Sequence, residues 1–337
     1  MKAGKIPNEL LKHLLDGLSV IADGRLELGP SIGEDSAILN INEQIVLVGS
    51  DPITFPTESP GWHSVIINSN DIAASGGIPK WYTATILMPE GSSTQEFTDI
   101  FKDVANTCAD MDIQLIGGHS EVTASVRHPI ISGTMIGLAD RTDLKPTNNA
   151  QISDDILITK YCPIEGLNII LTQYPDIIDA AGLTPSEIAS ITTMSSKANM
   201  SIINEAKIVK TFEEVHSMHD PTEGGIVTAL IELAIASNTG IMIDTKKIQI
   251  APESKQICKA LNINPMGLLS SGCLIITTPQ KNSCELIKNF KSHNIESYEI
   301  GHLTANPNEY KWVSTSGIED MPIFENDELT KCFEAHT

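Results

Sequence analysis

Apolar residues at positions 10, 11, 14, 15, 18 and 21 recur three and four residues apart, the spacing of one helix face, and Pro7 suits a first turn. This predicts an amphipathic helix over residues 7–22 whose leucines belong to a core. The short run Ile45-Val46-Leu47-Val48 predicts a strand that delivers Asp51. Residues 62–75 read as a helix stopped by Gly76-Gly77, with Asn68 and Asp71, three apart, on a shared face. Strands at 82–88, 113–116 and 130–138 surround a helix over 94–111, a β-α-β-β order that does not require a doubly wound sheet.

A polar stretch from 140 to 155, rich in Thr, Asn and Asp and containing Pro146, separates this half from the next. Strands are expected at 156–159, 240–244, 273–277 and 296–300, and helices at 165–173, 225–237 and 280–293. The fold class read from this pattern is α+β in two domains of similar size, 1–148 and 149–337. A chain of 337 residues is long enough to give each its own core. It carries neither a short-period repeat nor a low-complexity segment.

Charge narrows the partners. The chain has 22 Lys+Arg against 43 Asp+Glu, a formal balance of −21, with no basic run to meet a polyanion, which argues against nucleic acid and anionic membranes. No window reaches the roughly eighteen apolar residues of a membrane span, and the N-terminus has no apolar signal region. The cysteines at 108, 162, 258, 273, 284 and 332 form neither a C-x-x-C pair nor a zinc spacing, so buried reduced thiols in a cytoplasmic protein are expected.

Candidate chemistry lies in four segments of the first half: Gly33-Glu34-Asp35, Ser50-Asp51-Pro52, Asn68-Ser69-Asn70-Asp71 and Gly117-Gly118-His119-Ser120-Glu121. Singly, each reads as a turn or a helix cap. As a set they suit Mg²⁺ carrying the phosphates of a nucleotide, because hard cations take oxygen ligands. No Gly-Lys-Ser/Thr loop is present, so ATP would be held mainly through metal ions. Further on, His219-Asp220-Pro221-Thr222-Glu223-Gly224-Gly225 precedes an apolar helix. Asp220 and Thr222 read as caps, and the paired glycines as a place where free amides meet an anion. Lys160 is a substrate-side candidate, and Lys2 and Lys5 could close over phosphates from an N-terminal arm.

In order and spacing, Gly33-Glu34-Asp35-Ser36-Ala37, Ser50-Asp51-Pro52-Ile53-Thr54, Asn70-Asp71-Ile72-Ala73, Gly117-Gly118-His119-Ser120-Glu121 and Asp220-Pro221-Thr222-Glu223-Gly224-Gly225 resemble the AIR synthase superfamily, and within it HypE-like, AIR-synthase-related proteins. The resemblance implies an N-terminal mixed sheet that pairs with its twin in a homodimer to make a barrel, and a C-terminal α+β sandwich. It implies ATP and Mg²⁺ as cofactors and phosphorylation of a small oxygen-bearing substrate. Carried over, Asp35, Asp51 and Asp71 would be metal ligands and Asn68 and Asn70 polar contacts. Gly117 and Gly118 would form the turn that approaches phosphate, and Lys160, Asp220, Thr222, Gly224 and Gly225 would lie on the substrate side.

Two departures stand out. His119 occupies a position where many members carry a carboxylate, so it would contact phosphate or carry a proton, with Glu121 supplying the carboxylate; a plain hydrogen-bonded turn is the other reading. Cys332 is not terminal, unlike the cysteine that carries the carbamoyl group in HypE. A HypE-type carbamoyl dehydratase, with a maturation-protein partner, is therefore an alternative, as is a nucleotide-binding partner protein without turnover.

Overall fold

The computed structural model describes residues 4–18, 23–174 and 181–334. The expected end of the first helix, residues 19–22, and Lys2 lie outside the described residues. The chain divides into two compact units. One comprises Asp23–Gly29 and Ser36–Leu144; the other comprises Met1–Ala22, Pro30–Asp35 and Lys145–Thr337. The polar stretch expected to separate continuous domains at 148 thus contains the last crossing, after Leu144, but the N-terminal segments count with the C-terminal unit.

Within the N-terminal unit the strands are β1 (Leu26–Leu28), β2 (Ala37–Ile41), β3 (Gln44–Gly49), β4 (Pro52–Ile53), β5 (Ile78–Pro89), β6 (Gln114–Thr123) and β7 (Ile130–Ala139). They form one mixed sheet in the order β1-β2-β3-β7-β5-β6, with β4 on β7. Helix α1 (Asn8–Asp16) belongs to the other unit; α2 (Pro60–Ala74) and α3 (Thr94–Asp110) lie against this sheet. Val65 and Ile72 of α2 and Val104 and Cys108 of α3 join Tyr82, Ile86, Ile131 and Met135 in the core. Ser93 and Glu96 start α3 with a reciprocal capping box, each side chain bonding the other's backbone N–H.

Two expectations change here. The leucines of α1 are not core: none of its residues is buried, and Leu10 and Leu14 are exposed. Gly117-Gly118 is not a turn either. Strand β6 continues through both glycines, parallel to β5, after a register shift that skips Ile116, with Gly118 opposite Ala84. A Cβ on Gly118 would lie 2.1 Å from the Ala84 carbonyl oxygen, so the glycine serves close strand pairing. Strand β6 pairs only with β5 and forms an exposed edge.

The C-terminal unit adds β8 (Asp154–Thr159), β9 (Ser217–His219), β10 (Gly240–Asp244), β11 (Ile275–Pro279), β12 (Ser297–Thr304), β13 (Tyr310–Val313) and β14 (Ile318–Asp320). Their order is β14-β13-β10-β12-β8-β11-β9, with β8 buried along its whole length. The helices are α4 (Glu165–Gln173), α5 (Pro185–Met194), α6 (Lys197–Met200), α7 (Ile203–Val209), α8 (Gly225–Ala236), α9 (Pro252–Ala260), α10 (Gln280–Ser292) and α11 (Thr330–Glu334). Of these, α8 is apolar nearly all round and accordingly buried. No described helix is long and apolar enough to cross a membrane.

Gly133 on β7 ties the Ser50-Asp51 turn to the sheet: its N–H donates to the Asp51 carbonyl at 3.1 Å and its carbonyl accepts from Ser50 Oγ at 2.6 Å. A Cβ there would meet the Tyr82 hydroxyl at 2.2 Å and Asn68 Nδ2 at 2.6 Å. Gly133→Ala is expected to destabilise the protein by about 1–3 kcal/mol, the scale of overpacking, as read by urea denaturation. An unchanged midpoint would mean that the turn yields freely.

Candidate functional site

In the C-terminal unit, the loop Pro30–Asp35 meets the end of β9. His219 closes that short strand, paired opposite Ile275, and Asp220 follows at once. The His219 imidazole bonds Asp35 Oδ1 through Nδ1 at 2.7 Å, and its Nε2 lies 3.7 Å from Glu232 Oε2. Glu232 sits on α8 and receives Lys5 Nζ at 3.2 Å. Lys5⁺, Glu232⁻, His219⁺ and Asp35⁻ thus alternate in sign along one chain of contacts. Burial alone would lower the imidazole's affinity for a proton, but Asp35 and Glu232 outweigh it and raise the pKa to about 10. Burial likewise disfavours the charged form of Glu232, yet Lys5 and His219 prevail and its pKa falls.

One ligand atom each from Asp35, His219 and Asp220 lies within 4.8 Å of the others. Asp35 and Asp220 offer carboxylate oxygens to a divalent cation, while the imidazolium, protonated on both nitrogens, orients Asp35 instead of binding metal. Oxygen donors of this kind suit Mg²⁺ and Mn²⁺ alike. His219 Nε2 is buried with Glu232 Oε2 at 3.7 Å, beyond hydrogen-bond distance but within reach of an ion pair. Beside Asp35, the Glu34 carboxylate accepts backbone N–H bonds from Thr147 at 3.1 Å and Asn148 at 2.8 Å. Burial outweighs those bonds and holds its pKa at about 7.

The glycine turn before α8 differs from expectation. Its amides are not free for an anion: Gly224 N–H donates to Asp327 Oδ2 at 2.7 Å, and Gly225 N–H to the Thr222 carbonyl at 3.0 Å. The chain's own Asp327 therefore fills the place a phosphate would take at that turn. Lys160 is neither a solvated lysine nor an open one. Its ammonium donates to the carbonyls of Asn199, Ser201 and Gly272 at 2.8–3.0 Å and pairs with Glu205 at 2.6 Å, which occupies all three of its protons.

In the N-terminal unit, Asn68 Oδ1 accepts from Asp51 N–H at 2.9 Å, while its Nδ2 donates to the Asp51 carbonyl at 3.1 Å and the Ser64 carbonyl at 2.8 Å. The asparagine thereby clamps the backbone that carries the Asp51 carboxylate. Asn70 and Asp71 continue α2 and are buried. His119 and Glu121 stand on the same face of β6 with Nε2 and Oε2 3.1 Å apart, both exposed. Residues 117–120 also border a groove of about 350 Å³ shared with Phe101, Val104 and Ile116.

Sequence reasoning gave no role to His219, Glu232 or Asp327. The signal for Glu232 was available: it is the one charged residue in Gly225–Ala236, and a carboxylate inside an apolar helix needs a partner. His219 adjoined a segment already singled out. Asp327 carried no local mark, since its partner lies 103 residues away.

The family profile for the AIR synthase related protein N-terminal domain matches residues 33–139, and that for its C-terminal domain matches residues 169–313. The putative hydrogenase expression/formation protein MJ0676 of Methanocaldococcus jannaschii is 26% identical over 332 residues, covering 95% of each chain. A thiamine-monophosphate kinase of Pyrococcus horikoshii is 26% identical over 75% of this chain and 78% of its own. Among solved structures, the hydrogenase maturation protein HypE in complex with ATP superposes with a TM-score of 0.71 at 19% identity, over 89% of this chain and 92% of that one.

Asp327 offers a test of how the turn before α8 is held. Burial pushes its pKa up to about 7, against backbone bonds from Leu329 and Gly224 that favour the carboxylate. A folded pKa above the unfolded 3.8 means that this group's contribution is full below about pH 4 and is lost as pH rises through about 7. Asp327→Asn keeps an acceptor for Gly224 without the charge. With one acceptor oxygen for donors that the carboxylate serves with two, the variant should lose the decline between those limits while starting from a lower stability, as read by urea denaturation across pH. A variant with the wild-type slope would show that Asp327 stays ionised.

Proposed function

Since this chain belongs to the AIR synthase superfamily, we propose that it is a cytoplasmic, ATP-using phosphotransferase or synthetase that works with a divalent cation on a small oxygen-bearing substrate. The observation that carries this reading is the meeting of Asp35, His219 and Asp220, drawn from segments 184 residues apart onto one spot. Asp35 and Asp220 would hold a cation through carboxylate oxygens in the C-terminal unit, and Asp51 and Asp71 would offer carboxylate oxygens to a metal within the N-terminal unit. Such an ion neutralises charge on phosphate oxygens, the main demand of phosphoryl transfer.

The chain's own role is positioning. His219 fixes the rotamer of Asp35 from one side, so that oxygen Oδ2 is the one left for a cation. Asn68 fixes Asp51 through its backbone, with Asn70 the polar neighbour of Asp71. His119, with Glu121 holding Nε2, presents Nδ1 as the ring atom able to contact phosphate or take a proton. Thr222 and the Gly224-Gly225 turn frame the substrate side next to Asp220. Support for ATP comes from the fold shared with a HypE solved in complex with ATP and from the likeness to a kinase.

A HypE-type carbamoyl transfer with a maturation-protein partner is the second reading, favoured by the likeness to a hydrogenase expression/formation protein along nearly the whole chain. Cys332 weighs against it as the carrier, for it is buried and its thiol is pushed up to about 11 by burial. ADP formation over a panel of metabolites with Mg²⁺ and ATP separates turnover from simple binding. No ADP with any acceptor would leave a nucleotide-binding protein.

Replacing Asp51 or Asp71 by Asn is expected to weaken Mg²⁺–ATP binding by on the order of 1–3 kcal/mol in calorimetry, with the protein still folded. Asp35→Asn and Asp220→Asn should each lower Mn²⁺ occupancy measured by electron paramagnetic resonance. Unchanged binding in all four would remove these carboxylates from the site. The open edge of β6, with exposed Ile116 and Val122, is expected to pair with a second copy. Light scattering at low micromolar concentration should then give twice the chain mass, with roughly 1,000 Å² or more buried; the mass of a single chain would exclude it.

A further inference from the structure

Away from the charged site, two thiols meet in the interior of the C-terminal unit. Cys162 lies just beyond β8 and Cys273 just before β11, and their Sγ atoms are 3.5 Å apart although 111 residues separate them in sequence. Both are buried, at 1% and 0% exposure. The two segments are pinned together around the pair. Thr159 and Leu274 exchange N–H bonds at 3.0 Å, one of them through the Thr159 hydroxyl, and Lys160 Nζ reaches the Gly272 carbonyl at 3.0 Å. The Cys273 thiol lies 3.2 Å from the Tyr161 carbonyl. This contact between sulfurs is thus held by the ladder of β8 and β11, and neither thiol enters the chemistry above.

We propose that Cys162 and Cys273 form a dithiol site that a small disulfide oxidant, such as oxidised glutathione, converts into an intramolecular disulfide. One cysteine, as thiolate, attacks a sulfur of the oxidant and displaces the first small thiolate. The second then attacks the protein sulfur of that mixed disulfide and displaces the other. Two protein thiols become one disulfide, the oxidant is reduced to two thiols, and the two protein protons end on the leaving thiolates. The sulfurs must close from 3.5 Å to about 2.05 Å, a distance that side-chain rotation can largely cover. Burial slows the first attack, because the thiolate is disfavoured in an apolar interior and the oxidant enters only through local opening. The second attack is fast because its partner is already in contact. Cys284, which is exposed, is the internal contrast: it meets the oxidant first.

The test uses the whole chain, treated with oxidised glutathione, quenched by alkylation, digested without reduction and mapped by mass spectrometry. The expected product joins the peptides of Cys162 and Cys273, two hydrogens lighter than the free pair, and disappears with dithiothreitol. Closing so long a loop should raise the melting temperature of the oxidised protein by about 5 °C. Cys162→Ser should abolish both effects and Cys284→Ser neither; should Cys162→Ser fail to fold, the wild-type peptide map decides alone. Complete glutathionylation of Cys284 while Cys162 and Cys273 are recovered singly, alkylated or as mixed disulfides, would overturn the proposal.

Discussion

Charge compensation inside the C-terminal unit is the constraint on which the candidate site depends. Asp35 and Glu232 are almost withdrawn from water, and a carboxylate in that position ionises only if something positive stands beside it. His219 answers both at once, and Lys5 answers Glu232 again from the N-terminal arm. Removing His219 would strand Asp35 and leave Glu232 with Lys5 alone, since breaking one partner of a buried pair leaves an uncompensated charge. In a chain with 43 acidic and 22 basic side chains, such local cations are scarce. Where they are placed therefore decides which carboxylates are free to meet an external one.

Much of the architecture could be read along the chain because it rests on local periodicity. Helices α2, α3, α4, α8 and α10 and strands β3, β5, β7 and β10 lie where apolar spacing and stop signals put them. The helical stretch from 185 to 209 and strands β1, β2, β9, β13 and β14 went unread, because these pieces are short and take their order from the neighbours they pair with. The glycine pair in β6 misled because a double glycine is a turn signal in isolation, whereas here it lets a parallel strand approach. The α1 leucines misled in the opposite way: helical periodicity states which side is apolar, not whether the fold covers it.

The candidate site was partly legible for the same reason. Acidic residues in short polar segments mark themselves, so Asp35, Asp51, Asp71 and Asp220 could be singled out in the primary structure. Their second partners were not, because a contact such as His219 to Asp35 spans 184 residues. Lys160 and Asp327 show the cost of reading charge without distance. Lys160, read as a substrate-side residue, satisfies a knot of carbonyls, and Asp327, which carried no local mark, closes a helix turn.

The division of the chain into units carries a consequence for how this molecule could be taken apart. The backbone passes from one unit to the other four times, at 22–23, 29–30, 35–36 and 144–145. A gene cut once, near residue 145, would separate the two sheets cleanly on paper. It would also deprive the C-terminal fragment of the six residues ending in Asp35, leaving the His219 imidazolium without its nearest counter-ion. The two halves are therefore not exchangeable modules, because recombination at that junction would leave the C-terminal one with a buried imidazolium short of its nearest carboxylate.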